Sequence, residues 1–347
     1  MKINHSKPYF DKADKKSVTD TLEAGFVTAG LAAASLGETV SACLGKKYAV
    51  PTQSGTDALT SALAVLDLSP GSEIAVPAYI CSAPLDALHL AGMKPVPVDI
   101  DRETLAVSPD LLNHNTKFSA VIAAHLFGIP APFYKIRCEN LIEDCAQTLC
   151  AEIDGRRVGS MGKLAVCSFY GTKLLTAGHG GAVSADDECL YRKLRSLMIH
   201  DKQDEWQPHF HFMMSDFNAS LALAQFAKLE WMIKRRREIA CRFMNALGEQ
   251  GREQVGNIYS RFIVIADAGA DRLIAEFSKA GIEAKRPVFL PLYRYLGYKD
   301  TDFPNAAWAH EYIVSVPLYP ALTESEIEYI ESFLEKHKDE MRCWPSA

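Results

Sequence analysis

Short apolar runs alternate with amphipathic stretches along the first half of the chain. The runs are mostly apolar without a polar face, which is typical of strands buried on both sides in a largely parallel sheet. Between them, apolar residues recur at helical spacing. The pattern predicts strands over residues 47–52, 74–76, 94–98, 120–124 and 140–143, and helices over 11–24, 32–44, 57–66 and a stretch that ends near 90.

The second half of the chain begins with long helical patterns and ends in a shorter α/β alternation. Helices are predicted over 187–198 and from about 215 to 247, then strands over 259–266 and 312–316, with helices over 270–280 and 324–338, the last capped by Thr323. A chain of 347 residues exceeds what one hydrophobic core usually holds. We therefore predict a large domain over residues 1–235 and a small C-terminal domain over 236–347.

Several polar residues with useful chemistry come directly after predicted strands. Gly55 and Thr56 open a helix, where backbone amides and the helix dipole can hold a phosphate, or where the same stretch simply forms an N-cap. Asp144 ends one strand, while Ser168 and Lys173 belong to the end of another and the turn after it. Because ligands of such sheets bind outside the carboxyl ends of the strands, we expect these groups to meet. Phosphate donors, an acid for the pyridine nitrogen and a lysine for the aldehyde are what pyridoxal phosphate (PLP) needs.

The ordered set of motifs resembles the sugar aminotransferases of the DegT/StrS group, which are fold-type I PLP-dependent enzymes. The resemblance runs from Pro8 to about the last predicted helix. It implies an α/β fold whose large domain contains a mainly parallel seven-stranded sheet, plus a smaller C-terminal α/β domain. The matching segments are Ser54-Gly55-Thr56, Gly92 to Asp101, His125-Leu126-Phe127-Gly128, Glu143-Asp144-Cys145-Ala146-Gln147, Ser168-Phe169-Tyr170 with Lys173, Gly180-Gly181-Ala182 and Pro317-Leu318-Tyr319-Pro320.

The resemblance also implies a role for each matched residue. Lys173 would hold PLP as a Schiff base and later carry the proton between the substrate carbon and the cofactor carbon. Asp144 would keep the pyridine nitrogen protonated, and Gln147 would contact the ring hydroxyl. Members of the group pass an amino group from L-glutamate to a keto sugar, usually nucleotide-linked, and the implied assembly is a homodimer with both active sites at the interface. The phosphate would be bound by Gly55, Thr56 and Ser168.

At several positions the chain departs from the pattern of the group. Cys81 stands where an aromatic residue usually stacks on the pyridine ring, although the nearby Tyr79 is a possible substitute. His211 aligns with the asparagine that reaches the phosphate of the partner subunit, and we assign both Cys81 and His211 to the cofactor site. Tyr79, His179 and Arg286 are candidate substrate-binding residues. Packing is the alternative for His179, and a surface ion pair is the alternative for Arg286. The departures predict an unusual substrate.

Composition argues against several other classes of function. The formal charge of -6 gives no electrostatic reason to expect nucleic acid or an anionic membrane, and the basic run 234–237 lies in a helical pattern that predicts a solvated face. The first residues are polar and no apolar run is long enough to span a bilayer, so we expect a cytoplasmic protein. The nine cysteines are odd in number and include no C-x-x-C pair, which predicts reduced thiols rather than disulfides or a zinc site. We expect no metal at His209 and His211, because no carboxylate or cysteine cluster supports one.

Two other functions stay open. Another PLP reaction, such as dehydration or aldol chemistry, would use the same cofactor, but the related sugar dehydratases carry histidine at the lysine position, so Lys173 favours transamination. A degenerate member that binds a ligand without turnover would account for the changes at Cys81 and His211. The lysine and Asp144 argue against that second alternative.

Overall fold

The computed structural model describes residues 1–114, 117–199, 208–248 and 256–344. The strands are β1 Tyr48–Thr52, β2 Glu73–Pro77, β3 Lys94–Val98, β4 Ala120–Ala124, β5 Leu141–Asp144, β6 Glu152–Ile153, β7 Arg156–Arg157, β8 Leu164–Ser168, β9 Gly181–Ala185, β10 Phe262–Ala266, β11 Ile313–Val316 and β12 Met341–Cys343. The α-helices are α1 Lys12–Ala24, α2 Leu31–Leu44, α3 Gly55–Ala64, α4 Ala83–Leu90, α5 Pro109–His114, α6 Glu188–Met198, α7 Asp216–Phe226, α8 Leu229–Ala246, α9 Ala270–Lys279, α10 Leu292–Tyr295, α11 Pro304–Tyr312 and α12 Glu324–Lys336.

Seven strands form one sheet in the order β1-β9-β8-β5-β4-β2-β3. Neighbouring strands from β8 to β3 run parallel, whereas β9 is antiparallel to both β8 and β1. The predicted mainly parallel seven-stranded sheet is therefore confirmed. Gly181 pairs with both Ser168 and Thr52, which are the last residues of β8 and β1. The carboxyl ends of these strands therefore lie at the same edge of the sheet as Asp144, the last residue of β5.

Helices cover both faces of this sheet. Along β4 the consecutive residues Val121 and Ile122 join different hydrophobic clusters. Ile122 packs in the cluster that includes Leu59 and Leu63 of α3, and Val121 packs in the cluster that includes Phe133. Burial on both faces explains why the strands are apolar without alternation. The sheet is thus a rigid platform that fixes where the strand ends point.

The last part of the chain builds a second, antiparallel sheet of three strands in the order β11-β10-β12. Residues of α8, α9 and α12 pack with it in one hydrophobic cluster. The long helix predicted from 215 is divided into α7 and α8 at Ala227 and Lys228, where the Lys228 Nζ pairs with Asp14 of α1. The predicted domain division between residues 235 and 236 falls inside α8 and stays a prediction.

Two predictions about side chains are wrong. The thiols are not all reduced, because Cys43 and Cys150 form a disulfide with Cα atoms 5.4 Å apart. These cysteines lie 107 positions apart, so spacing gives no sign that the fold brings them together. The basic run is not wholly solvated, because Arg236 is 5% exposed and donates from Nη1 to the carbonyl oxygens of Tyr259, Ser260 and Leu318. In the described part of the chain, no helix is long and apolar enough to cross a membrane.

Candidate active site

A cavity of about 350 Å³ lies at the carboxyl ends of the parallel strands. It brings together the residues that the sequence places after separate strands, as expected for a sheet of this type. His125 and Leu126, which follow β4, also line it. The predicted site residues that line the cavity are Gly55, Thr56, Cys81, Asp144, Gln147, Ser168, Lys173 and His179.

The start of α3 forms one wall of the cavity. Ser54 caps the helix by accepting a hydrogen bond from the amide of Asp57, and its carbonyl oxygen accepts one from Ala58. The amides of Gly55 and Thr56 precede these bonds and have no acceptor within the helix. A Cβ atom at Gly55 would lie 2.8 Å from the Cβ of Ser168, so only glycine lets the two segments approach this closely. Backbone amides, the positive end of the helix dipole and two hydroxyl groups make this wall an anion site.

Asp144 presents a carboxylate with spare hydrogen-bonding capacity. Its Oδ1 accepts a hydrogen bond from the amide of Ala146 at 2.9 Å, and Oδ2 accepts none among the described residues. Burial raises the pKa of the Asp144 carboxyl, while the Ala146 amide and then the charge of Lys173 act in the opposite direction. A cationic group in the cavity would favour the ionised carboxylate.

Lys173 follows β8 in a turn in which its amide donates to the carbonyl of Tyr170 at 2.9 Å. Burial lowers the pKa of the Lys173 amine, Asp144 and Cys81 oppose that shift, and Arg261 adds to it. A lowered pKa increases the fraction of neutral amine, which is the nucleophilic form. The residue also lines a second, smaller cavity.

Gln147 and His125 are held by hydrogen bonds that fix their orientation. The Gln147 Oε1 accepts from the amide of Phe127 at 3.1 Å, so its amide nitrogen remains for a ligand. The His125 Nδ1 accepts from Ala131 at 3.0 Å, which leaves its Nε2 to donate to Glu143 at 3.2 Å. His125 was not among the predicted site residues. Its position directly after a predicted strand is the signal that could have identified it.

The departures from the group's pattern fall in different places. Cys81 is exposed and lines the cavity, whereas Tyr79 is fully buried and its hydroxyl donates to the carbonyl of Ala309. Tyr79 therefore packs in the core of this chain, outside the lining of the cavity, and its assignment to the substrate stays a prediction. His179 is exposed at the cavity wall, with its ring centroid 5.4 Å from that of Tyr170.

His211 and Arg286 lie outside the cavity of this chain. The side chain of His211 is exposed, and its carbonyl oxygen accepts from the Gln53 Nε2 at 2.7 Å. The Arg286 Nε donates to the carbonyl of His310 at 2.8 Å, and its Nη1 pairs with Asp271. These contacts match the ion-pair alternative, because the guanidinium of Arg286 already binds a carbonyl oxygen and a carboxylate.

The residues of the cavity fit PLP. An amide-lined helix start suits its phosphate, the unbonded oxygen of Asp144 suits a protonated pyridine nitrogen, and Lys173 suits its aldehyde. The spare amide nitrogen of Gln147 suits the ring hydroxyl. Cys81 lines the same cavity, and its thiol would offer a smaller contact area than the aromatic residue that is usual in the group.

Known proteins share this fold over nearly the whole chain. Spr1654 from Streptococcus pneumoniae, solved in PLP and PMP forms, is 24% identical with a TM-score of 0.88, and the match covers 98% of this chain and 98–99% of that one. PseC from Helicobacter pylori, an aminotransferase of pseudoaminic acid biosynthesis, is 20% identical with a TM-score of 0.87 and coverage of 98% and 100%. ColD, a GDP-4-keto-6-deoxymannose-3-dehydratase solved with GDP-perosamine, is 22% identical with a TM-score of 0.86 and coverage of 96% and 100%.

These structures show the fold, while the sequence itself shows the family. The profile of the DegT/DnrJ/EryC1/StrS aminotransferase family matches residues 8–335, which is almost the entire chain. The resemblance of the individual motifs is thereby confirmed, as is the cofactor that they imply. The chain belongs to the DegT/DnrJ/EryC1/StrS aminotransferase family and is a PLP-dependent aminotransferase of fold type I.

Proposed function

We propose that this enzyme takes an amino group from L-glutamate and passes it to a keto sugar that is linked to a nucleotide. The observation that carries the proposal is the position of Lys173, which lines the same cavity as Asp144 and the start of α3. The dehydratase ColD has the same fold, so the architecture does not separate the two reactions. The lysine in the turn after β8 favours transamination, because the sugar dehydratases of the group that the chain resembles carry histidine at this position.

When bound, PLP supplies an aldehyde that combines with amines and a protonated ring that accepts an electron pair. Lys173 provides the amine that combines with this aldehyde, and its lowered pKa favours the neutral form. The Nζ of Lys173 would also serve as a base held inside the cavity, where it would move the proton from the α-carbon of the donor.

The other residues bind and orient the cofactor and the substrate. Asp144 would hold the proton on the pyridine nitrogen, since its Oδ2 accepts no hydrogen bond among the described residues. Gln147 donates to the ring hydroxyl from the nitrogen that the Phe127 bond leaves available. The amides of Gly55 and Thr56 bind the phosphate together with the hydroxyl of Ser168. Cys81 covers one face of the ring, and His179 contacts the sugar.

We also propose a homodimer in the cytoplasm. In it the exposed His211 reaches the phosphate site of the partner subunit, as the aligned asparagine of the group does. The hydrogen bond from Gln53 supports this role, because it ties the His211 backbone to the residue that precedes the Ser54 cap. Sedimentation of the purified protein tests the dimer, and a monomer at assay concentration would contradict it.

The test of the proposed reaction is the visible absorbance of the purified, PLP-loaded protein before and after L-glutamate. We expect a yellow band that glutamate bleaches, that is absent from Lys173→Ala, and that persists in the control Lys163→Ala, whose half-buried lysine lies outside the cavity and pairs with Glu139. A band that glutamate leaves unchanged would contradict the donor assignment. A wild-type protein without the band, even with added PLP, would leave a binding role in place of catalysis.

The dehydratase alternative calls for a separate measurement. An amino sugar formed from the keto sugar in proportion to 2-oxoglutarate supports transamination. Loss of a hydroxyl group from the keto sugar, with no amino sugar formed, would favour the reaction type of ColD.

A further inference from the structure

Three cysteines line a groove that shares no lining residue with the active-site cavity. Cys43 and Cys150 form the disulfide, and Cys241 of α8 is a free thiol. The groove has a volume of about 1250 Å³, and apolar side chains of α7 and α8 form much of its lining. All three cysteines are half-buried, so a small thiol that enters the groove can reach them.

The disulfide joins the end of α2 to the turn that binds the cofactor. Cys43 lies in the last turn of α2, and Cys150 lies in the segment that follows β5. This segment begins directly after Asp144 and contains Gln147, three positions before Cys150. The hydroxyl of Thr148 donates to the carbonyl of His125 at 3.0 Å, which anchors the first part of the turn.

The last part of the turn has fewer attachments. Leu149 and Cys150 make no hydrogen bond among the described residues. Cys150 has a φ angle of 59°, in the left-handed region that residues other than glycine rarely adopt. The disulfide and the packing of Leu149 in one hydrophobic cluster with Leu36 of α2 therefore keep this part of the turn in place. Without the bond, movement of the turn would relieve the backbone strain at Cys150.

Other contacts between the same two regions do not depend on the disulfide. The Arg157 Nη1 donates to the carbonyl of Ala42 at 2.8 Å. Gly159 approaches Leu44 so closely that a Cβ there would lie 2.7 Å from the Leu44 Cδ2. Because these contacts remain when the bond opens, we expect the turn to loosen while the surrounding fold persists.

We propose that the Cys43–Cys150 bond is a thiol–disulfide exchange site, which a small thiol opens from the groove, and that its opening weakens PLP binding. The thiolate of one thiol molecule attacks a sulfur atom of the pair and forms a mixed disulfide, while the other cysteine leaves as a thiolate and takes up a proton. A second thiol molecule attacks the mixed disulfide and releases the remaining cysteine. Two electrons and two protons thus pass from two thiol molecules, which become a disulfide, to Cys43 and Cys150, which become thiols.

The surroundings of the bond favour exchange over a purely structural role. Disulfides in the cytoplasm, where we propose that this enzyme works, are usually transient or redox-sensing. The groove gives a thiol access to this bond, and the turn that the bond holds contains Asp144 and Gln147. The effect on PLP rests on our assignment of those two residues to the cofactor, and it is independent of the amino donor and the sugar. Lys173 belongs to a different turn, after β8, so the Schiff base should still form.

The first experiment equilibrates the PLP-loaded enzyme with buffers of reduced and oxidised glutathione, alkylates the native protein and identifies the labelled cysteines by mass spectrometry. We expect Cys43 and Cys150 to be labelled together in reducing buffers and protected together in oxidising ones. Structural disulfides resist reduction by glutathione. A bond that stays closed in a buffer in which Cys241 is labelled would therefore overturn the proposal, and so would a Cys43 and Cys150 that are both labelled in every buffer.

The second experiment compares PLP binding by the oxidised and the reduced enzyme after glutathione has been removed under nitrogen. The yellow band, followed on serial dilution, gives the dissociation constant. We expect a value about threefold to tenfold higher for the reduced enzyme, which is the size of the effect of one net hydrogen bond. Cys150→Ser should show the higher value after either buffer. The matched control is Cys241→Ser, which removes a thiol from the same groove and should respond to the buffers as wild type does.

The reduced wild type provides the same comparison without a substitution if Cys150→Ser does not fold. Equal dissociation constants for oxidised and reduced enzyme, or a response that disappears in Cys241→Ser, would overturn the proposed link between this bond and the cofactor. A response to glutathione in an enzyme whose yellow band L-glutamate leaves unchanged would support the exchange site and contradict only the donor assignment.

Discussion

Replacing Gly55 with alanine is a sharp test of the phosphate site, because the structure predicts the sign of two effects. The new Cβ would lie 2.8 Å from the Cβ of Ser168 and 3.1 Å from its Oγ. Carbon atoms in good contact are about 3.5–4.0 Å apart, so the start of α3 and the end of β8 must separate. The two walls to which we assign the phosphate would move with them.

Gly55→Ala should destabilise the protein even though alanine favours a helix. Replacing a glycine where alanine fits without strain stabilises by about 0.4–1 kcal/mol. Overpacking a tight contact costs about 1–3 kcal/mol, so the unfavourable term is the larger one. We expect a net loss of about 1–2 kcal/mol and, since charged hydrogen bonds contribute about 1.5–3 kcal/mol, a PLP dissociation constant raised by about 10-fold to 100-fold.

The assay combines denaturant unfolding of the cofactor-free protein with a PLP titration. Gly171→Ala is the matched control, because a Cβ there meets no atom within 4 Å, and it should leave both quantities near wild type. In a Ser168→Gly background the opposing Cβ is gone, so the same Gly55→Ala change should cost less free energy. A folded Gly55→Ala variant that binds PLP as tightly as wild type would refute the assignment of this wall to the phosphate.

Two further predictions concern stability. The unfolded chain binds a proton at His5 below its usual pKa of about 6.5, whereas the folded protein binds one only near the lowered value of about 3. The stability that depends on neutral His5 is therefore complete above pH 6.5 and is lost as the pH falls towards 3, with a slope of up to about 1.4 kcal/mol per pH unit. Urea unfolding at several pH values should show a shallower slope for His5→Gln, and equal slopes would contradict this account. For the disulfide, nine cysteines less the two in the Cys43–Cys150 pair leave seven thiols to react in denatured, unreduced protein. Reduction should expose nine and lower the free energy of unfolding by about 2–5 kcal/mol, and nine reactive thiols before reduction would exclude the bond.

The fold was predictable wherever local patterns decide it. Apolar runs without alternation indicated the parallel strands, and the ends of those strands placed Asp144 and Ser168 at one edge. β9 was missed because it begins in a glycine-rich stretch and is only five residues long. β12 was missed because its short sequence, Met341–Cys343, has a polar residue at its centre. It is recognisable as a strand only through its pairing with β10.

The sequence was least informative about contacts between distant segments of the chain. Tyr79 and Cys81 are two positions apart, yet one side chain enters the core and the other the cavity, which depends on how the chain turns after β2. The sequence supported substrate binding and a surface ion pair equally for Arg286, and only the position of Asp271 beside it favours the ion pair. A basic run gives no reason to single out Arg236, since burial of one arginine among its neighbours follows from the packing of α8.

Lys173 lies among groups that have opposite effects on the pKa of its amine. Burial and the charge of Arg261 lower this pKa, whereas Asp144 and Cys81 raise it. Removing the charge of Arg261 should therefore raise the pKa of the Lys173 amine. Because only the neutral amine combines with the cofactor, Arg261→Gln should need a higher pH than wild type to form the yellow band with PLP. Lys285 is not among the groups that act on Lys173, so Lys285→Gln should leave this pH dependence unchanged, and equal pH profiles for all three proteins would contradict the reasoning.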